Sequence, residues 1–213
     1  MALPVPKALV EGLTFLWGFL RHPRTVGSVV PSSRFLAAAV AGHVPPGVRC
    51  VAEIGPGTGP ITRALLDRLG PDAILLALEI DPAFCAVLRS NLPDPRLRVV
   101  QAAAEDLPAY AARLPRPIEA VVSGLPFANF PAPLRHAIMR AAYDSLAPGG
   151  VFAGYSYAPV VLPLLLRAYL GHCRTSIVLR NLPPAFVFSA RKSRGKDGHG
   201  GGGLRPDRPP PAP

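Results

Sequence analysis

The stretch Val51-Ala52-Glu53-Ile54-Gly55-Pro56-Gly57-Thr58-Gly59 decides the fold. The apolar run Cys50 to Gly55 reads as a buried strand and Thr58 to Leu69 as a helix, so three glycines sit where a strand turns into a helix. Glycine at such a turn lets a ligand approach the backbone closely, and the start of the helix offers unpaired amide donors to an anion. The spacing is G-x-G-x-G rather than the G-x-G-x-x-G of pyrophosphate-binding turns, and Glu53 precedes the first glycine by two positions. A pyrophosphate is held by amides alone. A carboxylate here favours a ligand with a cationic group, such as the ammonium of an amino acid.

Working outward, a second acid stands in Leu78-Glu79-Ile80-Asp81, 24 positions beyond Gly55 and at the end of the next apolar run, Ala73 to Ile80. A carboxylate so placed accepts hydrogen bonds from both hydroxyls of a ribose. Glu53, the glycine turn and Glu79 together specify a nucleoside joined to an amino acid. Further strands are expected at Leu97 to Gln101, Ala120 to Gly124, Val151 to Tyr157, Ser176 to Arg180 and Ala185 to Ala190. Helices are expected at Pro82 to Asn91, Asp106 to Leu114, Pro133 to Ser145 and Val160 to Leu170. Strands that are continuously apolar and alternate with helices make an α/β fold, a mostly parallel sheet covered on both faces.

Composition narrows the rest. The chain has 213 residues, room for one core with appendages. Its hydrophobic fraction of 49% excludes global disorder, and 28 prolines with 20 glycines exclude a helical bundle. Cys50, Cys85 and Cys173 lack paired spacing, and the five histidines are scattered, so neither a disulfide framework nor a metal site is expected. A reducing cytosol follows. Twenty-three basic against 13 acidic side chains give a formal charge of +10, which suits an anionic partner without naming it. Residues 191–213 hold a net +4 with six glycines and five prolines, and read as a disordered basic tail. In residues 7–22, Leu9, Leu13, Leu16, Trp17 and Leu20 share one helical face, widened by Phe15 and Phe19, with Arg21 and Arg24 at the end. This amphipathic helix is too short to span a bilayer; it packs on the domain or lies in a membrane interface.

Over roughly residues 48–190 the chain resembles the S-adenosylmethionine-dependent methyltransferases of the seven-stranded, Rossmann-like class. The resemblance implies strand order 3-2-1-4-5-7-6 with the seventh strand antiparallel. It also implies a methionine site at Glu53, Gly55, Gly57, Thr58 and Gly59, and a ribose site at Glu79 and Ile80. Adenine falls beside Ala104 and Glu105, with Ser123 closing the cofactor site. The usual adenine-binding Asp is replaced by Ala103 in Gln101-Ala102-Ala103-Ala104-Glu105-Asp106, so either Glu105 or a backbone group takes over, or adenine binds less well.

The acceptor loop after the fourth strand reads Ser123-Gly124-Leu125-Pro126-Phe127-Ala128-Asn129-Phe130-Pro131. RNA adenine methyltransferases carry Asn-Leu-Pro-Tyr or Asn-Leu-Pro-Phe here to grip a flipped base; Ser123-Gly124 lacks that grip. With Arg24 to Ser33, Tyr155 to Pro159 and Arg180 to Phe186, this loop makes the chain resemble the bacterial phospholipid N-methyltransferases of the soluble, peripheral type, which methylate phosphatidylethanolamine towards phosphatidylcholine. That resemblance implies a membrane-binding role for the N-terminal helix, through Leu13, Phe15, Leu16, Trp17, Phe19, Leu20, Arg21 and Arg24, at the inner face of the cytoplasmic membrane. It further implies a lipid amine held by Leu125, Pro126, Phe127, Asn129, Tyr157 and Arg180, with Tyr157 and Ser123 as the catalytic candidates. Expected organisation is therefore 1–47, helix and lid; 48–190, the S-adenosylmethionine-binding domain; 191–213, tail. Rival readings are an RNA or small-molecule methyltransferase and a non-catalytic lipid-binding protein on the same fold.

Overall fold

A computed structural model describes residues 33–194. The amphipathic helix expected at 7–22, its membrane-binding residues, and the tail beyond Arg194 lie outside the described residues. Helix α1, Arg34–Ala41, opens the described chain; the Ser33 hydroxyl caps it by accepting from the Leu36 amide at 3.3 Å. There follow β1 (Cys50–Ile54), α2 (Pro60–Leu66), β2 (Ile74–Glu79), α3 (Pro82–Asn91), β3 (Leu97–Gln101), α4 (Leu107–Ala111), β4 (Ile118–Ser123), α5 (Ala132–Ser145), β5 (Leu146–Ser156), α6 (Val161–Leu170), β6 (Arg174–Val178) and β7 (Ala185–Arg191). Short 3-10 turns at Ala104–Asp106 and Phe127–Asn129 sit on two of the connections.

All seven expected strands form one sheet in the order β3-β2-β1-β4-β5-β7-β6. Pairings from β3 to β5 are parallel, and β7 is antiparallel to both β5 and β6. The order places β1 and β4 at the middle, so the turns after them, at Gly55 and Gly124, lie side by side. Because β7 reverses between them, β5 and β6 point the same way and end at the same carboxyl edge as β1, β2 and β4.

Alternation along the strands divides the core in two. Cys50, Ala52, Ile54, Val121, Phe152 and Phe188 pack under α4, α5 and α6, whereas Val51, Leu75, Val122 and Val187 pack under α1, α2 and α3. Continuous apolar strands are thus explained: both faces are buried, and β1 and β2 are buried at every position. Phe152, fully buried at the centre of β5, contributes about 1.5–3 kcal/mol of transfer free energy.

The boundaries differ from expectation in informative places. The helix expected from Thr58 starts at Pro60, because Gly59 is left-handed at φ 89° and acts as its N-cap. The helix expected from Asp106 is broken into a 3-10 turn and the five residues of α4, since Pro108 restricts its first turn. Strand β5 begins five residues early, and β6 ends at Val178 rather than Arg180, so Arg180 sits in the turn beyond it. Strand β7 runs to Arg191, and the Lys192 ammonium donates to the Tyr143 and Leu146 carbonyls at 2.6 and 2.8 Å. A tail starting at residue 191 would cut into this ordered end.

Candidate active site

The glycine turn is built from three left-handed residues, Gly55, Gly57 and Gly59, at φ 69°, 58° and 89°. At Gly55 a Cβ would also press on the Leu125 side chain, which would have to move aside. At Gly57 it would meet nothing within 4 Å, so this stretch of backbone faces open space. Glu79 braces the turn, its Oε2 accepting from the Gly57 amide at 2.9 Å and its Oε1 from the Asp81 amide at 3.0 Å. Each carboxylate oxygen retains one further acceptor position. Burial pushes the Glu79 carboxyl up, and the amides of Asp81, Gly57 and Ile80 offset that by favouring its ionised form. Ile80 itself begins the turn after β2.

Glu53 lies on β1, on the face covered by α2. It is completely buried, and neither carboxylate oxygen has a hydrogen-bond partner; the Thr62 hydroxyl beside it on α2 is likewise unpaired. Burial pushes its carboxyl up to about 8, the nearby Thr62 hydroxyl opposing the rise and the Glu79 carboxylate adding to it. An unpartnered buried carboxyl costs free energy that an incoming cation would recover. After β3, Ala103 is extended, and Ala104 and Glu105 form the 3-10 turn; the Glu105 carboxyl is half-buried and also pushed up by burial.

The acceptor loop meets this turn backbone to backbone. The Gly124 amide donates to the Ile54 carbonyl at 3.0 Å, and a Cβ on Gly124 would lie 2.4 Å from the Gly55 carbonyl oxygen. Any side chain at position 124 is therefore excluded, which accounts for the departure from the base-gripping asparagine pattern. Ser123 is buried, its hydroxyl accepting from the Leu125 amide at 3.2 Å, so its oxygen shapes the loop. Leu125 and Pro126 are half-buried and Asn129 is exposed, while Phe127 is buried and packs 6.3 Å from the Phe130 ring. The Arg135 guanidinium, from α5, donates to the Phe130 and Ala128 carbonyls and pins the loop from outside.

Tyr157 is 42% exposed just beyond β5, with its ring edge-on to Tyr155. Its hydroxyl accepts from Asn181 Nδ2 at 3.4 Å. Asn181 is buried; it also donates to the Pro183 carbonyl at 2.7 Å and accepts from the Ser33 amide at 3.2 Å. It ties the Tyr157 ring to the start of α1. Beside it, the Arg180 guanidinium lies 4.0 Å from the Phe35 ring centroid on α1. In the sequence Asn181 is as readily a turn cap as a substrate contact, and Arg135 carries no signal; only burial of the amide fixes the role of the first, and only the carbonyls it meets reveal the second. The structure thus gathers Glu53, Glu79 and the glycine turn on the β1–β2 side, and Tyr157, Asn181 and Arg180 on the β5–β6 side, with the acceptor loop between.

The family model for a methyltransferase domain matches residues 51–150. Over 182 residues the chain is 35% identical to the ornithine lipid N-methyltransferase of Singulisphaera acidiphila, spanning 83% of this chain and 94% of that protein. The chain belongs to the lipid N-methyltransferase family of S-adenosylmethionine-dependent enzymes. The methyltransferase also matches the ribosomal RNA small subunit methyltransferase A of Bordetella pertussis at 42% identity, over 92 residues that make up 43% of this chain and 32% of that one. Its fold is that of the Burkholderia thailandensis 1,6-didemethyltoxoflavin-N1-methyltransferase solved with its substrate and S-adenosylhomocysteine, at a TM-score of 0.64 over 91% of this chain and 92% of that chain, with 17% identity. The methyltransferase uses S-adenosylmethionine, and the residues present fit it: Gly57 leaves open space along the turn, Glu79 keeps acceptor positions for ribose hydroxyls, and the orphaned Glu53 carboxylate suits an ammonium.

Proposed function

We propose that this methyltransferase acts at a membrane surface on the primary amine of a lipid headgroup, with ornithine lipid as the first candidate and phosphatidylethanolamine as the second. One observation carries the reading: likeness to the ornithine lipid enzyme runs through 94% of that protein and 83% of this chain, whereas likeness to the RNA enzyme covers 32% of that protein and 43% of this chain. Gly124 supports it too, since a base-gripping asparagine has no room there. Phosphatidylethanolamine keeps its place because of the Ser-Gly-Leu-Pro-Phe and Arg180-to-Phe186 segments.

Both headgroups offer an alkyl amine with a solution pKa of about 10, cationic at neutral pH and unable to attack until it loses a proton. S-adenosylmethionine supplies an electrophilic methyl on a cationic sulfur. The chain's own residues have three tasks. Gly55, Gly57 and Glu79, with Glu53, fix the donor; Ser123 and Arg135 hold the acceptor loop in shape; Tyr157, oriented by Asn181, positions the amine nitrogen and accepts a hydrogen bond from it. Arg180 offers a cation to the acidic group that accompanies the amine. Labelled S-adenosylmethionine supplied with vesicles of ornithine lipid, with vesicles of phosphatidylethanolamine, and with ribosomal RNA tests the reading. Label should enter ornithine lipid fastest; label in RNA alone overturns the proposal.

A further inference from the structure

Among the described residues, six large apolar side chains are exposed: Tyr157, Val160, Leu164, Ile177, Leu179 and Leu182. All six fall in two short segments, 157–164 and 177–182. Scattered exposed leucines are ordinary, but a cluster marks a docking surface. The topology makes these segments one cluster. Strands β5 and β6 end at the same carboxyl edge, and Asn181 Nδ2 donates to the Tyr157 hydroxyl, joining the segment after β5 to the turn after β6. Ile177 pairs with Phe186, which lies on the sheet face covered by α6, the helix that carries Leu164. Leu179 and Leu182 project furthest, at 76% and 84% exposed.

Charge selects the partner. Between Ala120 and Arg194 the chain has eight lysines and arginines and one acid, Asp144, and that acid stands at the last turn of α5, by the amino edge where β5 begins. Arg167 follows Leu164 by three positions on the exposed face of α6, and Arg180 stands between the two projecting leucines with no ion pair among the described residues. Aliphatic tips among unopposed cations suit the boundary between anionic headgroups and acyl chains. RNA fits less well, because stacking platforms for bases are aromatic and the cluster holds one aromatic among five aliphatic side chains.

We infer that the corner formed by residues 157–164 and 177–182 is a membrane-docking face of the folded domain that seats the acceptor side of the site on an anionic bilayer. The inference rests on the amino-lipid reading above and adds the orientation in which the lipid is met. With this corner down, Tyr157 and the acceptor loop face the headgroups, and a headgroup reaches the site while its acyl chains stay in the bilayer.

Flotation of the full chain with phosphatidylcholine vesicles, with and without phosphatidylglycerol, tests it against the double variant Leu179→Asp, Leu182→Asp. The variant should bind anionic vesicles about tenfold or more weakly, because two apolar anchors are lost and two like charges face the lipid. Methylation of vesicle-borne amino lipid should fall with binding, while turnover of a short-chain monomeric analogue and the thermal midpoint stay unchanged. A second reporter uses the single native tryptophan: in a Trp17→Phe background, Leu182→Trp should emit at shorter wavelength when anionic vesicles are added. Unchanged emission, or wild-type binding by the aspartate variant, overturns this face and leaves the lipid substrate standing. Vesicle binding that is lost in the variant, in a chain that methylates no amino lipid in any form, upholds the face and overturns the proposed function.

Discussion

Residues 33–119 carry nine acidic and nine basic side chains; residues 120–194 carry one acidic and eight basic. The two segments share one sheet, yet they differ in where their polar and apolar groups are spent. In the first, acids balance bases, two of them, Glu53 and Glu79, are buried beside the glycine turn, and no large apolar side chain is exposed. In the second, the acids are nearly gone and every exposed large apolar side chain of the described residues is found. The first arrangement suits a small polar ligand, and the second an extended surface. On the proposed function the chain separates a site for a soluble donor from a face for a lipid surface, and the two join where Gly55 meets Gly124.

The sharpest way to break this division is at the join. Gly55→Val places a β-branched side chain where φ is 69° and against the Leu125 side chain, so the turn is strained and Leu125 must move. Stability should fall by about 1–3 kcal/mol from backbone strain and turnover by about 100-fold or more from displaced reactants, read by thermal denaturation and by the methyl-transfer assay. Normal turnover would show that the two halves are not mechanically joined there.

Glu53→Gln tests the inward half. The folded carboxyl is raised to about 8 by burial, above its unfolded value of about 4.3, so the folded ligand-free protein binds the extra proton between those limits. Its stability is thus greatest at low pH and declines as pH rises through that window, by at most about 1.4 kcal/mol per pH unit from this group. Glutamine should flatten that decline and stabilise the ligand-free protein near pH 8 while weakening S-adenosylmethionine binding about tenfold, the loss of one charge-assisted contact. Calorimetry at several pH values reads both. Binding should also release protons below pH 8 in the wild type and not in the variant, since a cation beside the carboxyl lowers its pKa.

Smaller effects are expected on the outer half. Asn181→Ala leaves the Ser33 amide and the Tyr157 hydroxyl without their buried partner and should cost about 1–3 kcal/mol of stability. It should raise KM for the amine acceptor while leaving S-adenosylmethionine affinity unchanged. Tyr157→Phe should lower turnover by less than about tenfold, as befits a positioning hydroxyl. A loss of about 100-fold with a displaced pH profile would instead assign proton transfer to this residue.

These halves were also unequally legible. All seven strands and the glycine turn between Glu53 and Glu79 could be read because strand period, glycine spacing and acid position are local signals, whereas the order of the strands in the sheet came with the resemblance to the seven-stranded methyltransferases. The acceptor side depended on tertiary packing. Arg180 looked like a strand residue, and the structure puts it in a turn against Phe35. Ser123 is a catalytic and cofactor candidate and Phe127 a substrate candidate in the sequence, and the structure shows both buried, one capping the loop and one packed against Phe130. Asn129 and Asn181 are equally turn caps or substrate contacts in the sequence, because nothing there says which asparagine will be enclosed with three partners. The corner of exposed leucines was hidden for the same reason: segments twenty residues apart become neighbours only once β7 has reversed between β5 and β6.

The contact of Gly55 with Gly124 limits how this enzyme can diverge. Where two main chains touch with no side chain between them, the floor of the crevice offers nothing for mutation to resculpt, so a descendant with a different acceptor must acquire it by altering the rim. Related enzymes that share this pair of glycines should therefore differ in preference mainly at positions equivalent to Tyr157, Arg180 and Asn181, and comparing their headgroup selectivities is a direct way to see whether the floor is as fixed as its geometry demands.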